Sequence, residues 1–249
     1  MKDMINELTL LCRDLRISSD VAVKSMTMDQ ATNQEFLLEL LRYMKSTRAN
    51  NRQVNMTRKA KFPYLEDFAQ FRSDGLEFDD SFSLSCCMSL TFLQKKENIV
   101  MAGRAGTGKT MLSVCIGMKA CENSVQAAYF RIPELVKGLG KKSDYKRYGA
   151  LLARIERADL LILDEFAYTP MTLSESEDLF RIIADANRKK SFIITTIRPF
   201  SEWPSVIPDE KLAQAFISRC IDNSHIINFT GEDHRLSRMI GKDHTGKSE

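Results

Sequence analysis

A chain of 249 residues has room for one sizeable domain and a smaller appendage. Its hydrophobic fraction of 43% and charged fraction of 28% are ordinary for a globular protein, which excludes disorder and a membrane protein as starting assumptions. The formal net charge of +3 is too small to point to a partner, so only the distribution of charge along the chain is informative.

The longest apolar stretches, 160–163 and 192–194, fall far short of the ~20 residues that cross a bilayer. Asp3 and Glu7 stand where a signal peptide would begin its apolar core, so a cytoplasmic protein without a membrane partner is expected. Six cysteines form no CxxC pair, and the three histidines all fall within the last 25 residues. Reduced thiols are therefore expected, and a zinc site, a disulfide scaffold or histidine-based nucleophilic catalysis is not.

Residues 1–60 contain no glycine or proline and are predicted helical. Thr32 and Glu35 have capping-box spacing, followed by Phe36, Leu37, Leu40, Leu41 and Met44 along one side. Arg42, Lys45, Arg48 and Arg52 step by three, three and four residues, within roughly a 120° arc beside that stripe. A phosphate backbone suits such a stripe, and so does simple solvation. The sign reverses in the next segment, with Glu66, Asp67, Asp74, Glu77, Asp79 and Asp80 against Arg72 alone. Pro63 and Gly75 punctuate this segment, which sets a boundary within 62–80 and gives a helical region 1–70, a main domain 71–240 and a polar tail 241–249.

From about residue 97, apolar strands alternate with helices. Strands are predicted at 98–102, 126–132, 160–164, 192–196 and 225–229, and helices at 110–121, 133–137, 151–157, 173–188 and 209–220. This alternation predicts an α/β fold with a parallel sheet covered by helices on both faces.

The first of these strands runs into Gly103-Arg104-Ala105-Gly106-Thr107-Gly108-Lys109-Thr110, and a helix follows from Met111. This is the GxxxxGKT phosphate loop in its strand–loop–helix context. By average composition the bare pattern arises by chance in roughly one chain in a hundred of this length. The glycines let backbone N–H groups turn toward an anion, which the helix N-terminus also attracts. Lys109 is expected on the β/γ-phosphates and the Thr110 hydroxyl on Mg²⁺.

Such a loop requires a carboxylate at the end of another buried strand, and the run 160–163 ends in Asp164-Glu165. Asp164 is the expected Mg²⁺ partner, and Glu165 is expected to orient the water that attacks the γ-phosphate. A glutamate in that position favours a hydrolase over a small-molecule kinase. Arg219 is the candidate for an arginine delivered to a neighbouring subunit, although an ordinary surface arginine fits the same position.

These residues resemble the IstB-like transposition helper ATPases, relatives of the DnaC-type helicase loaders within the AAA+ group. The resemblance spans nearly the whole chain. It is carried by 98–110, by Leu161 to Glu165 with Tyr168 and Pro170, and by Arg198-Pro199-Phe200-Ser201-Glu202-Trp203. It continues through Leu212 to Arg219 and Gly231-Glu232-Asp233-His234-Arg235-Leu236. It implies a P-loop AAA+ core with a small all-α N-terminal domain, a homo-oligomer formed with ATP on double-stranded DNA, and a transposase partner from the same element. A replicative helicase loader is the alternative that it leaves open. The resemblance supports Arg219 as an arginine finger and makes the Arg42–Arg52 stripe a credible DNA contact.

The sequence departs from the family at the end of the fourth strand. The family usually has Thr-Ser-Asn there, with the Asn sensing the γ-phosphate, whereas this chain has Thr195-Thr196-Ile197. Ile197 has no hydrogen-bonding side chain, which leaves Thr196 as the substitute and slow turnover as an expectation. The short segment after the last strand predicts no separate helical lid, with Arg235 or Arg238 as possible contacts to the nucleotide.

Overall fold

In the computed structural model, the described residues are 2–30 and 32–233. The chain opens with α1 (Lys2–Asp14), α2 (Asp20–Ser25) and α3 (Asn33–Ala60), followed by β1 (Leu76–Phe78), α4 (Leu84–Ser89) and α5 (Thr91–Gln94). The alternating part is β2 (Asn98–Gly103), α6 (Lys109–Glu122), β3 (Ala127–Arg131), α7 (Ile132–Gly140), α8 (Tyr145–Arg157), β4 (Leu160–Phe166), α9 (Leu173–Ala186), β5 (Ser191–Thr196), α10 (Glu210–Ile221) and β6 (Ser224–Phe229).

Two compact units result, Met1–Asn55 and Met56–Glu249. They divide inside α3, upstream of the 62–80 segment where the sequence placed the boundary. The cause is the last turn of α3, whose Met56 and Ala60 are buried in the core of the larger unit. Arg154 of α8 fastens that turn, donating to the Ala60 carbonyl at 2.8 Å and to the Tyr129 carbonyl. Burial of its guanidinium pulls the Arg154 pKa down to about 10.

In the smaller unit, Thr32 and Glu35 form the capping box reciprocally, at 3.0 and 3.2 Å. Helix formation is interrupted between α1 and α2, where Arg16 takes a left-handed φ of +54°, and again between α2 and α3. Cys12, Val21 and Ala22 make a small core with Leu40, Tyr43 and Met44 of α3. Two short helices cover only one line of α3. Leu37 and Leu41, expected on the packed side, therefore remain about half-exposed.

The larger unit is built on a six-stranded sheet, ordered β1-β6-β2-β5-β4-β3 among the described residues. All five predicted strands are present and run parallel. β1, too short to register in the sequence pattern, adds antiparallel to β6 with Leu76 opposite Phe229. Along β4 the apolar run divides with a period of two: Leu161 and Leu163 enter the core on one face, and Leu160 and Ile162 the core on the other. Leu135, Leu179, Ile183 and Phe216 from α7, α9 and α10 complete the first core. Leu112, Ile116 and Ala120 from α6 complete the second. After β2 the chain runs to the β3 edge, works inward through β4 and β5, and then crosses to β6 on the far side of β2. The carboxyl end of β2 is therefore the switch point where open parallel sheets bind ligands.

Candidate active site

β2 ends at Gly103, where a Cβ atom would lie 2.4 Å from the Phe229 carbonyl oxygen, so only glycine allows β2 and β6 to approach this closely. The loop closes through Gly108, at φ +100°, which caps α6. Lys109, the first residue of α6, is buried, and its Nζ donates to the carbonyls of Gly103 at 2.6 Å and Arg104 at 2.5 Å. Thr107 Oγ1 donates to the same Arg104 carbonyl at 2.9 Å. The ammonium is thus held on the loop that it is expected to serve. The carboxylate of Asp233 rests against this loop: a Cβ on Gly106 would fall 1.9 Å from Asp233 Oδ1.

Opposite the loop, the carboxyl end of β4 carries the two acids. Between Leu163 and Phe166, β4 has one residue more than the matching stretch of β5, so Asp164 and Glu165 form a bulge. Glu165 and Ala167 both adopt left-handed backbone, at φ +62° and +57°, a strained conformation for residues with a Cβ. Asp164 is buried and accepts from Thr110 Oγ1 at 3.1 and 3.2 Å. The Tyr129 hydroxyl donates to Asp164 Oδ2 at 2.5 Å, and Thr195 Oγ1 donates to Oδ1. Burial and the adjacent Asp164 charge raise the Tyr129 pKa, keeping the phenol protonated and able to donate. Glu165 is gripped from β3 by Arg131, whose Nη2 donates to Oε1 at 3.1 Å and Oε2 at 2.8 Å and whose Nε donates to Oε2 at 3.1 Å. The hydrogen bonds and charge of Glu165 raise the Arg131 pKa.

Between the loop and the acids lies a cavity of about 630 Å³. Of the sequence-predicted positions, Ala105 through Met111, Asp164, Glu165 and Thr196 line it. Gly103 and Arg104 do not; their carbonyls hold Lys109 instead. The Thr196 hydroxyl turns to the backbone of Arg198, accepting from its N–H at 3.1 Å and donating to its carbonyl at 3.0 Å, while Ile197 presents an apolar side chain to the cavity. Tyr64, Glu66, Gln70, Phe71 and Arg72 form a wall that the sequence reading treated only as connection.

Behind the acids, the Arg198–Trp203 run acts as a buttress. Arg198 Nε donates to the carbonyl of left-handed Ala167 at 3.0 Å. Trp203 is fully buried, with its ring centroid 4.3 Å from that of Phe166 and 4.9 Å from that of Phe200. Packing of these rings stabilises the strained corner next to Glu165.

Arg219 lies outside the cavity lining, near the end of α10, with its guanidinium carbon 4.7 Å from the centroid of the Phe180 ring. Arg42, Lys45, Arg48 and Arg52 are all exposed on α3. Arg235, Arg238 and the tail 241–249 lie outside the described residues.

The oxygen donors fit a hard divalent cation. The Thr110 hydroxyl and the Asp164 carboxylate sit side by side at the cavity wall, and Mg²⁺ needs little more from a protein than one or two such groups, because water and phosphate complete its shell.

Strand order and loop together define the class: a P-loop nucleotide-binding domain. Within it, the chain belongs to the family described as IstB-like ATP binding protein, whose model matches residues 11–240. The chain is 28% identical over 255 residues to the insertion sequence IS232 putative ATP-binding protein of Bacillus thuringiensis subsp. berliner, with 99% of each chain covered. It is also 28% identical over 202 residues to the insertion sequence IS21 putative ATP-binding protein of Pseudomonas aeruginosa, covering 81% of this chain and 76% of that one. Among solved structures, the crystal structure of DnaI matches with a TM-score of 0.54 at 16% identity, over 73% of this chain and 93% of that one, a likeness of fold.

Proposed function

We propose that this chain is an ATPase that assembles as a homo-oligomer on double-stranded DNA and assists the transposase of the same mobile element in selecting a target and inserting. The observation that carries the nucleotide half of this reading is the hydrogen bond of Thr110 to Asp164 in the wall of the cavity that Lys109 also lines. Relatives named as insertion-sequence ATP-binding proteins support the transposition half.

In this reading the loop amides from Ala105 to Thr110 and the Lys109 ammonium bind the triphosphate, and Lys109 exchanges the Gly103 and Arg104 carbonyls for phosphate oxygens. The wall of Tyr64, Phe71 and Arg72 supplies stacking surface for the base. Thr110 and Asp164 would hold Mg²⁺, which would supply positive charge to offset that developing on the triphosphate. Glu165 orients the attacking water and accepts its proton, which requires the Arg131 grip to open. Arg219, turned away from its own cavity, is available to a neighbouring subunit's site. The exposed Arg42, Lys45, Arg48 and Arg52 neutralise backbone phosphates of the duplex.

The test measures binding to a duplex and to the corresponding single strand by anisotropy, with and without MgATP, alongside electron microscopy of the complexes. Duplex preference with ATP-dependent multimers is the expected result. Single-strand preference together with no stimulation of the element's transposase would move the reading to a helicase loader. Absence of any ATP effect would sink it.

A further inference from the structure

The hydroxyls of Tyr129 and Thr195 converge on one carboxylate from opposite sides. β3 and β5 flank β4 in the sheet, and each contributes one buried hydroxyl to Asp164 between them. Each hydroxyl has a single proton, and both protons point at Asp164, one on each oxygen. Thr110 supplies a third hydroxyl that reaches both oxygens at 3.1 and 3.2 Å. A carboxylate has about four lone-pair sites, so these contacts fill it.

The three hydroxyls are not equivalent. Thr110 sits at the head of α6 in the phosphate loop and is the hydroxyl that would turn to a cation bound with the nucleotide. That would free one lone pair on each Asp164 oxygen, with Tyr129 and Thr195 still holding the carboxylate. Both are neutral donors, so they orient Asp164 without cancelling the charge that a cation needs, as an arginine or lysine would. Thr195 also accepts the Glu165 N–H at 3.0 Å. One hydroxyl on β5 thus ties together both residues of the β4 bulge and sets the spacing between the two acids.

We propose that Thr195 and Tyr129 are positioning residues that hold Asp164, and through Thr195 also Glu165, in the arrangement that receives Mg²⁺ with the nucleotide. This inference rests on the MgATP reading of the cavity. It assigns to two residues on neighbouring strands a role distinct from that of Thr196 and Ile197, which follow Thr195 in the chain.

The test compares the near-isosteric variants Thr195→Val and Tyr129→Phe with Thr195→Ser and wild type. ATP binding is measured by calorimetry in EDTA and across a MgCl₂ titration, with thermal unfolding recorded for each protein. The expected result is that Thr195→Val and Tyr129→Phe bind ATP in EDTA as wild type does, yet need about 10–100-fold more Mg²⁺ for half-maximal effect. Thr195→Ser, which retains the hydroxyl, restores the wild-type Mg²⁺ dependence. A lower melting temperature with unchanged Mg²⁺ dependence in both variants would overturn the inference alone, because that is the signature of packing. Should Thr195→Val fail to fold, Tyr129→Phe decides by the same criterion. Wild type that takes up no ATP with or without Mg²⁺ would overturn the MgATP reading and this inference with it.

Discussion

Replacing Lys109 with Met retains the buried aliphatic stem and removes the ammonium. A hydrogen bond to a charged group contributes about 1.5–3 kcal/mol, so losing one such bond to the triphosphate raises Kd by about 10–150-fold. Without nucleotide the substitution takes the ammonium from the carbonyls of Gly103 and Arg104, of which Arg104 keeps the Thr107 hydroxyl, so each protein is compared with its own nucleotide-free state. The difference is largest in thermal protection. At nucleotide of about 100 times the wild-type Kd, wild type gains about 2.7 kcal/mol, and a variant whose Kd has risen about 100-fold gains about 0.4 kcal/mol. At about 2–4 °C per kcal/mol for a chain of this size, that is a shift of about 5–11 °C against about 1–2 °C. Scanning calorimetry with and without MgATP reads both numbers. A Lys109→Met protein that keeps the full wild-type shift would refute the reasoning, because the ammonium would then not bind the ligand.

Changing Arg42, Lys45, Arg48 and Arg52 together to Ala should leave ATP binding intact and flatten the salt dependence of duplex binding. The log–log slope falls by up to about 3.6 if all four neutralise phosphates, at about 0.9 each, and an unchanged slope would make the stripe a solvated face. Arg219→Ala and Glu165→Gln should each bind ATP and hydrolyse it at least about 10³-fold more slowly in the assembled state. Mixing the two should restore part of the turnover, because some interfaces then pair an intact Glu165 with an intact Arg219; a mixture that stays silent argues against delivery between subunits. Asp233→Asn should tighten ATP binding about five-fold, the equivalent of about 1 kcal/mol of relieved repulsion near the phosphate seat. Weaker or unchanged affinity would mean that the carboxylate does not face the phosphates.

The features legible in the sequence were those written in runs. Leu160 to Leu163 is buried on both faces, so it reads as an uninterrupted apolar stretch, and the acids at its end fall where a parallel sheet presents them. The glycine loop was legible because its chemistry depends on consecutive residues. β1 was not legible, because three residues pairing antiparallel at an edge leave no period to detect. The turns between α1, α2 and α3 use neither glycine nor proline, and Arg16 takes the left-handed conformation in their place. In the site, Tyr129, Arg131 and Thr195 were missed because their roles arise from registry across three strands. Arg131 pairs with Asp164 in register, two residues beyond Tyr129 on the same face, and no spacing along the chain encodes that. The Tyr64–Arg72 wall escaped for a related reason: it reaches the loop only once the chain has folded over it.

The chain has one tryptophan, and the fold seals it behind Phe166, the residue that follows Glu165. An indole in so dry a setting emits at short wavelength, free of interference from any other indole in the chain. An opening of the Arg131 grip on Glu165 that displaces Phe166 should change that emission in colour or lifetime. Fluorescence of the unlabelled protein recorded with and without nucleotide is therefore a direct optical test for such a movement.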